Sequence, residues 1–158
     1  MASTIETGDR APDFTLADER GIDVHLYDEL EDGPVMLVFY PADFSPVCTR
    51  QMCNYRDRYD DFQQLGIRIL AISDDPVDSH LKFRQDKDLP FPLLSDPDHE
   101  VIDVYTGSGL LSGGGAHRAN FIIDTDGVVH YAHVETVSLF RRNADELLEA
   151  AREVAANR

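Results

Sequence analysis

"PVMLVFYPADFSPVCTRQMCNYRDRYDDFQQLGIRILAIS", residues 34–73, is the stretch whose reading decides the fold. Its first seven residues form a continuous apolar run between Gly33 and Pro41, the pattern of a strand buried on both faces. From Pro46 to about Leu65 the residues Cys48, Met52, Tyr55, Tyr59 and Phe62 recur at alternating steps of four and three, which predicts a helix with one buried stripe. Gly66 ends that helix, and "IRILAIS" (67–73) returns as a second buried strand.

Outward from this unit the same alternation continues. Upstream, "DFTLADERGIDVHL" (13–26) reads as two short strands around the turn at Glu19-Arg20-Gly21. Downstream, Asp75-Pro76 is expected to start another helix with the aspartate as cap and the proline as first helical residue. "FPLLS" (91–95) reads as a short strand and "DPDHEVIDVY" (96–105) as a short helix. After a glycine-rich loop (107–115), "ANFIIDTDGVVHYAHV" (119–134) gives two strands joined through Asp126-Gly127, a hairpin signal. A last helix is expected from Asn143, with Glu146 completing a capping box and Leu147, Leu148, Ala151, Val154 and Ala155 facing the sheet. The order predicts one α/β domain over residues 1–158: a twisted mixed sheet with helices on both faces and an extra N-terminal β-hairpin.

Thirty acidic against fourteen basic residues give a formal charge of −16. Such a field excludes nucleic acid and anionic membrane as partners, since both are bound by basic surfaces. Lys82 and Lys87 are the only lysines, a composition that suits either a high-salt environment or an ordinary soluble acidic protein. The apolar runs are too short to span a bilayer, and "MASTIETGDRAPDF" (1–14) lacks the basic start and apolar core of a secretory signal. A cytoplasmic protein with reduced thiols is therefore expected, and two cysteines there point to redox chemistry rather than a structural staple.

Those two lie at the mouth of the first long helix. With Ser45 as N-cap and Pro46 first, Cys48 is third, where backbone N–H groups have no partner inside the helix and the dipole favours negative charge. A thiolate is stabilised there, so Cys48 is expected to ionise more readily than a free thiol. Position alone leaves two readings open, because Cys48 also lies on the apolar stripe, where a cysteine can be an inert core residue. Pro41 and Pro46, which frame the loop, the Ser45 hydroxyl and the nearby Cys53 favour the reactive reading. On an ideal helix, residues five apart have Cα atoms roughly 8–9 Å apart and about 140° round the axis. A disulfide needs less than about 7 Å. Cys48 and Cys53 can therefore join only if the first turns unwind.

With Pro41, Ser45 and Cys48 the stretch resembles the P-x-x-x-T/S-x-x-C motif of the peroxiredoxins, and "HRANFIID" (117–124) is similar to the family's arginine before a later strand. Cys53, five residues after Cys48, resembles the resolving cysteine of the bacterioferritin-comigratory-protein or Q group. Serine replaces the commoner threonine at 45, and "VC" (47–48) stands where many of that group have "GC". The resemblance implies a thioredoxin-like fold and a thiol peroxidase without metal, haem or flavin. It implies that Cys48 attacks hydrogen peroxide or an organic hydroperoxide, that Arg118 stabilises the charge, that Ser45 orients the peroxide and that Pro41 shields the product. Cys53 then forms an intramolecular disulfide that a thioredoxin-like dithiol protein reduces. A monomer or weak homodimer is the implied assembly.

Two other functions suit the same fold. One is thiol–disulfide exchange with protein clients, against which the absence of C-x-x-C counts. The other is a redox-sensing or chaperone-like module in which helix unwinding signals to a partner. "GSGLLSGGG" (107–115) is not a phosphate loop, since G-x-G-x-x-G fails at Ser112. His130 and His133, at an odd spacing on one strand, face opposite sides and do not share a metal. "DTDG" (124–127) is a turn rather than a calcium loop, His117 is an ordinary polar neighbour, and Arg50 is a solvated helix charge.

Overall fold

The computed structural model describes residues 5–107, 118–135 and 144–156. Its elements run β1 (Thr15–Ala17), β2 (Asp23–His25), α1 (Leu26–Leu30), β3 (Val35–Phe39), α2 (Pro46–Asp57), α3 (Tyr59–Gln64), β4 (Arg68–Ser73), α4 (Val77–Lys87), β5 (Leu93–Ser95), α5 (Glu100–Thr106), β6 (Ala119–Ile123), β7 (Val129–Val134) and α6 (Ala144–Ala156). The strands form one seven-stranded sheet in the order β2-β1-β5-β4-β3-β6-β7. β3 is parallel to β4 and antiparallel to β6, so the sheet is mixed, as the alternation of elements leads one to expect.

The alternation of side chains along β3 divides the core. Val35, Leu37 and Phe39 pack with α1 and α5 through Leu26, Leu30, Ile102 and Tyr105. Met36, Val38 and Tyr40 pack on the other face with Cys48, Met52, Tyr55, Phe62 and Phe83, and with Leu147 and Leu148 of α6. All seven residues from Pro34 to Tyr40 are buried, which is why the strand carries no polar residue. Each large aliphatic side chain so buried contributes about 1.5–3 kcal/mol.

Three local details differ from the sequence expectation. The helix predicted from Pro46 to Leu65 is two helices, because the backbone of Arg58 (φ −111°, ψ 11°) leaves helical geometry between α2 and α3. The N-terminal hairpin is followed by α1, a five-residue helix too short for periodicity to reveal. Pro76, not Asp75, is the cap of α4, and the Asp75 carboxylate instead accepts the N–H of Asp43. The proposed cap Asn143 lies outside the described residues; the N–H of Ala144 donates to Asn54 Oδ1 of α2 at 2.7 Å.

The glycines before the two central strands meet back to back. Gly66 (φ 75°) closes α3, with the N–H of Ile67 donating to the Phe62 carbonyl and that of Gly66 to Gln63. A Cβ at Gly33 (φ 152°) would stand 2.7 Å from the carbonyl oxygen of Gly66, which is backbone and cannot swing away. Gly33→Ala is expected to destabilise the protein by about 1–3 kcal/mol, as overpacking does. The check is a lower denaturant midpoint at unchanged m-value.

The β6–β7 hairpin turns as expected, with Asp124 accepting the N–H groups of Asp126 and Val128. Burial pushes the Asp124 carboxyl up, but those two bonds and His130 outweigh it and hold it below the usual aspartate value. His133 pairs separately with Glu135, so the two histidines do not converge.

Candidate active site

The register of the sheet builds the site. Phe39 pairs with Ala119, so Arg118, one residue earlier, lies beside the end of β3, where the chain leaves for the loop to α2. Asn120 and Ile122, opposite Val38 and Met36, face the α2 side of the sheet, and by the two-residue period Arg118 faces it too. α2 in turn buries Cys48, Gln51, Met52 and Tyr55 against that side.

The two chain segments meet at the sulfur. Arg118 Nη1 donates to Cys48 Sγ at 3.1 Å and to Gln51 Oε1 at 2.8 Å. Gln51 Nε2 passes the chain on to the Tyr55 hydroxyl at 3.0 Å. Cys48, Gln51 and Tyr55 are 0 % exposed and Arg118 is 3 % exposed, so the guanidinium acts at low local dielectric and is barely screened. A guanidinium at that distance stabilises an oxygen that develops negative charge beside it.

Of the residues expected from sequence, Cys48 and Arg118 are in contact. Ser45 is the N-cap in position, with an extended backbone, and its carbonyl accepts the first helical bond from Thr49 at 2.8 Å. Its side chain does not cap the helix; the hydroxyl donates to the Ala42 carbonyl at 3.2 Å. Pro41 opens the same loop, half-buried directly after Tyr40. Phe44, between the two, is exposed at φ 65° and its ring lies 5.0 Å from that of Phe83.

Cys53 is half-buried and Cys48 is buried, both as free thiols on the unbroken α2. The Arg56 guanidinium, one turn on, is held above the usual range chiefly by its bond to Asp57 and also donates to the Lys87 carbonyl. Arg50 is exposed and donates to the Pro46 carbonyl, a surface charge as expected. His117 and most of the glycine-rich loop lie outside the described residues.

Gln51 and Tyr55 are the functional neighbours that sequence reasoning missed. Their signal was available: Gln51 stands one turn after Cys48, a polar group on the helix face that turns inward. A second buried polar group, around Asp43 and His80, was also missed, since its members come from four separate segments.

Comparison with known proteins gives a consistent answer. Residues 7–132 match the AhpC/TSA family. The chain is 38% identical over 133 residues to "Peroxiredoxin Q, chloroplastic" of Oryza sativa subsp. japonica, an alignment that covers 84% of this chain and 61% of that protein. It is 37% identical over 133 residues to the protein of the same name from Triticum aestivum, again with 84% of this chain and 61% of that protein covered. It spans about three fifths of the length of these plant relatives. Among solved structures, peroxidoxin BcpB from Mycobacterium tuberculosis superposes with a TM-score of 0.85 at 36% identity, covering 95% of this chain and 98% of that one.

Proposed function

Because this chain belongs to the AhpC/TSA family, with the thioredoxin-like fold of its peroxiredoxin Q and bacterioferritin-comigratory members, we propose that it is a thiol-dependent peroxidase whose nucleophile is Cys48. The observation that carries this reading is the Arg118 guanidinium bonded at once to the Cys48 sulfur and to Gln51. The Cys48 thiolate attacks one oxygen of hydrogen peroxide or an organic hydroperoxide. The O–O bond breaks, the other oxygen leaves with a proton as water or alcohol, and the sulfur becomes a sulfenic acid. Arg118 stabilises the charge that moves onto the leaving oxygen, held in place by Gln51 while it does so. The Ser45 hydroxyl turns from the Ala42 carbonyl to orient the peroxide, and Pro41 keeps water from the sulfenic acid.

Cys53 then condenses with the sulfenic sulfur; the S–O bond breaks, the S–S bond forms and water leaves. Since both sulfurs sit on one intact helix, the opening turns of α2 unwind in this step. A thioredoxin-like dithiol reduces the disulfide, which suits a reducing compartment such as the cytoplasm. Among the described residues no helix is long and apolar enough to cross a membrane.

The test is Cys53→Ser, read by rapid mixing. The first turnover with one equivalent of peroxide is expected within about twofold of wild type, because the substitution leaves Cys48 and Arg118 in contact. Steady-state turnover with a dithiol reductant is expected to fall at least tenfold, and mass spectrometry should show a stable sulfenic acid at Cys48. A first turnover lost equally in Cys53→Ser and Cys48→Ser would refute these roles.

A further inference from the structure

The loop from Pro41 to Ser45 is tied down by a buried cluster away from the sulfur. The Asp43 N–H donates to Asp75 Oδ2 at 2.8 Å, and the Ser73 hydroxyl donates to the same oxygen at 2.7 Å. Asp43 Oδ1 accepts the Tyr40 hydroxyl at 2.6 Å, and Oδ2 accepts that of Ser79 at 2.8 Å. The same Oδ2 stands 2.8 Å from His80 Nδ1, while His80 Nε2 stands 3.0 Å from the Leu94 carbonyl. The side chains of His80 and Asp43 are 0% and 1% exposed.

Proton counting fixes the charge of this pair. A carbonyl oxygen has no hydrogen, so His80 Nε2 must donate to Leu94. A neutral imidazole has then spent its one N–H, and Nδ1 would turn a lone pair on the Asp43 carboxylate. The 2.8 Å contact holds only with a second proton in it. Two hydroxyls already donate to Asp43, so the proton belongs on Nδ1 and the pair is imidazolium–carboxylate.

The groups facing it are Tyr40 just after β3, Asp75 and Ser73 from β4 and its following loop, Ser79 from α4 and the Leu94 carbonyl from β5. Burial, then the field and hydrogen bond of Asp43, hold the Tyr40 hydroxyl well above the usual phenol range, so it remains a donor. Ligand atoms of Asp43, Asp75 and His80 all lie within 4.8 Å, but the Asp43 N–H and the two serine hydroxyls donate into that space, which suits a hydrogen-bonded cluster rather than a cation.

We propose that His80 and Asp43 are a positioning pair whose shared proton latches the Pro41–Ser45 loop over Cys48 for the peroxide step and whose release lets Cys53 reach it. The inference rests on the peroxidase reading above. With the proton present the loop is held and resolution is slow. A second peroxide can then oxidise the waiting sulfenic acid to sulfinic acid, leaving as water or alcohol. Without that proton a lone pair faces a carboxylate in a buried site, the latch opens and the disulfide forms faster.

Asp43→Asn tests this, because its amide N–H can donate to a neutral Nδ1 and keep the tie without a borrowed proton. The disulfide-forming rate after one peroxide equivalent is measured by rapid quench from mildly acidic to mildly alkaline pH. Ionisation of Cys53 affects both proteins alike and cancels in their ratio. That ratio, wild type over Asp43→Asn, is expected to rise about ten- to a hundredfold over the range, the equilibrium worth of one charge-assisted hydrogen bond. Asp43→Ala should resolve fast at every pH and resist oxidation to the sulfinic acid.

In wild type near neutrality, nitrogen NMR should show both His80 ring nitrogens protonated, and only one in Asp43→Asn. Parallel pH profiles in the two proteins, or a singly protonated wild-type His80, would overturn the latch. If the chain consumes no peroxide, the peroxidase reading fails, while the His80 nitrogen spectrum and amide exchange of residues 42–45 still decide the latch.

Discussion

Cys48→Ser is expected to abolish peroxide consumption, a fall on the order of 10⁴-fold or more, the scale seen when an enzyme loses its nucleophile. A serine hydroxyl is not ionised near neutrality and cannot supply the anion that attacks the O–O bond. Cys53 does not stand in for it: it is half-buried, about 140° round the helix from Cys48, whereas the Arg118 guanidinium bonds the Cys48 sulfur. The substitution is nearly isosteric in a site that is 0% exposed, and the hydroxyl can accept the Arg118 bond, so the fold should survive. The measurement is first-turnover peroxide loss by rapid mixing, beside a thermal melt. Consumption at the wild-type rate by a folded Cys48→Ser protein would end the assignment.

Arg118→Met should slow the first turnover by about 10²–10³-fold, as the loss of one preorganised charge-stabilising donor does. The same substitution leaves Gln51 Oε1 without the donor now 2.8 Å away, in a site closed to water. A stability loss of about 1–3 kcal/mol should therefore accompany it. Arg118→Lys keeps the charge but offers a compact ammonium where one guanidinium nitrogen now bridges sulfur and amide, so its rate should fall between the two. Gln51→Leu separates the two effects, removing the arginine's anchor while leaving its charge. Equal first turnover in Arg118→Met and wild type would show that the guanidinium has no part in the chemistry.

The centre of the sheet was legible because its strands are buried on both faces: Pro34–Tyr40 and Ile69–Ile72 are continuous apolar runs. Cys48 and Ser45 were legible because a helix start has a local signature of cap, proline and first turn. What failed is equally physical. The apolar stripe ran through Arg58 unbroken, since Tyr59 and Phe62 face inward on either helical path, so a change of backbone angle at one residue left no mark in composition. Arg118 could be named only by resemblance, because its meeting with Cys48 depends on the β3–β6 register across 70 residues of chain. The Asp43–His80 contact has the same character: no spacing in the sequence links a loop after β3 with a turn of α4.

Asn54, the residue after Cys53, holds the first N–H of the C-terminal helix through its side chain. If the proposed disulfide forms and the unwinding of α2 reaches Asn54, that anchor would be dragged away with it, whereas the ion pair from Arg58 to Asp145 lies beyond the last residue of α2. The C-terminal helix would then lose this cap while keeping the Arg58 pair and its buried stripe of Leu147, Leu148, Ala151 and Val154. On that reading the thiol state would be recorded at the start of the C-terminal helix, through a bond that does not involve sulfur.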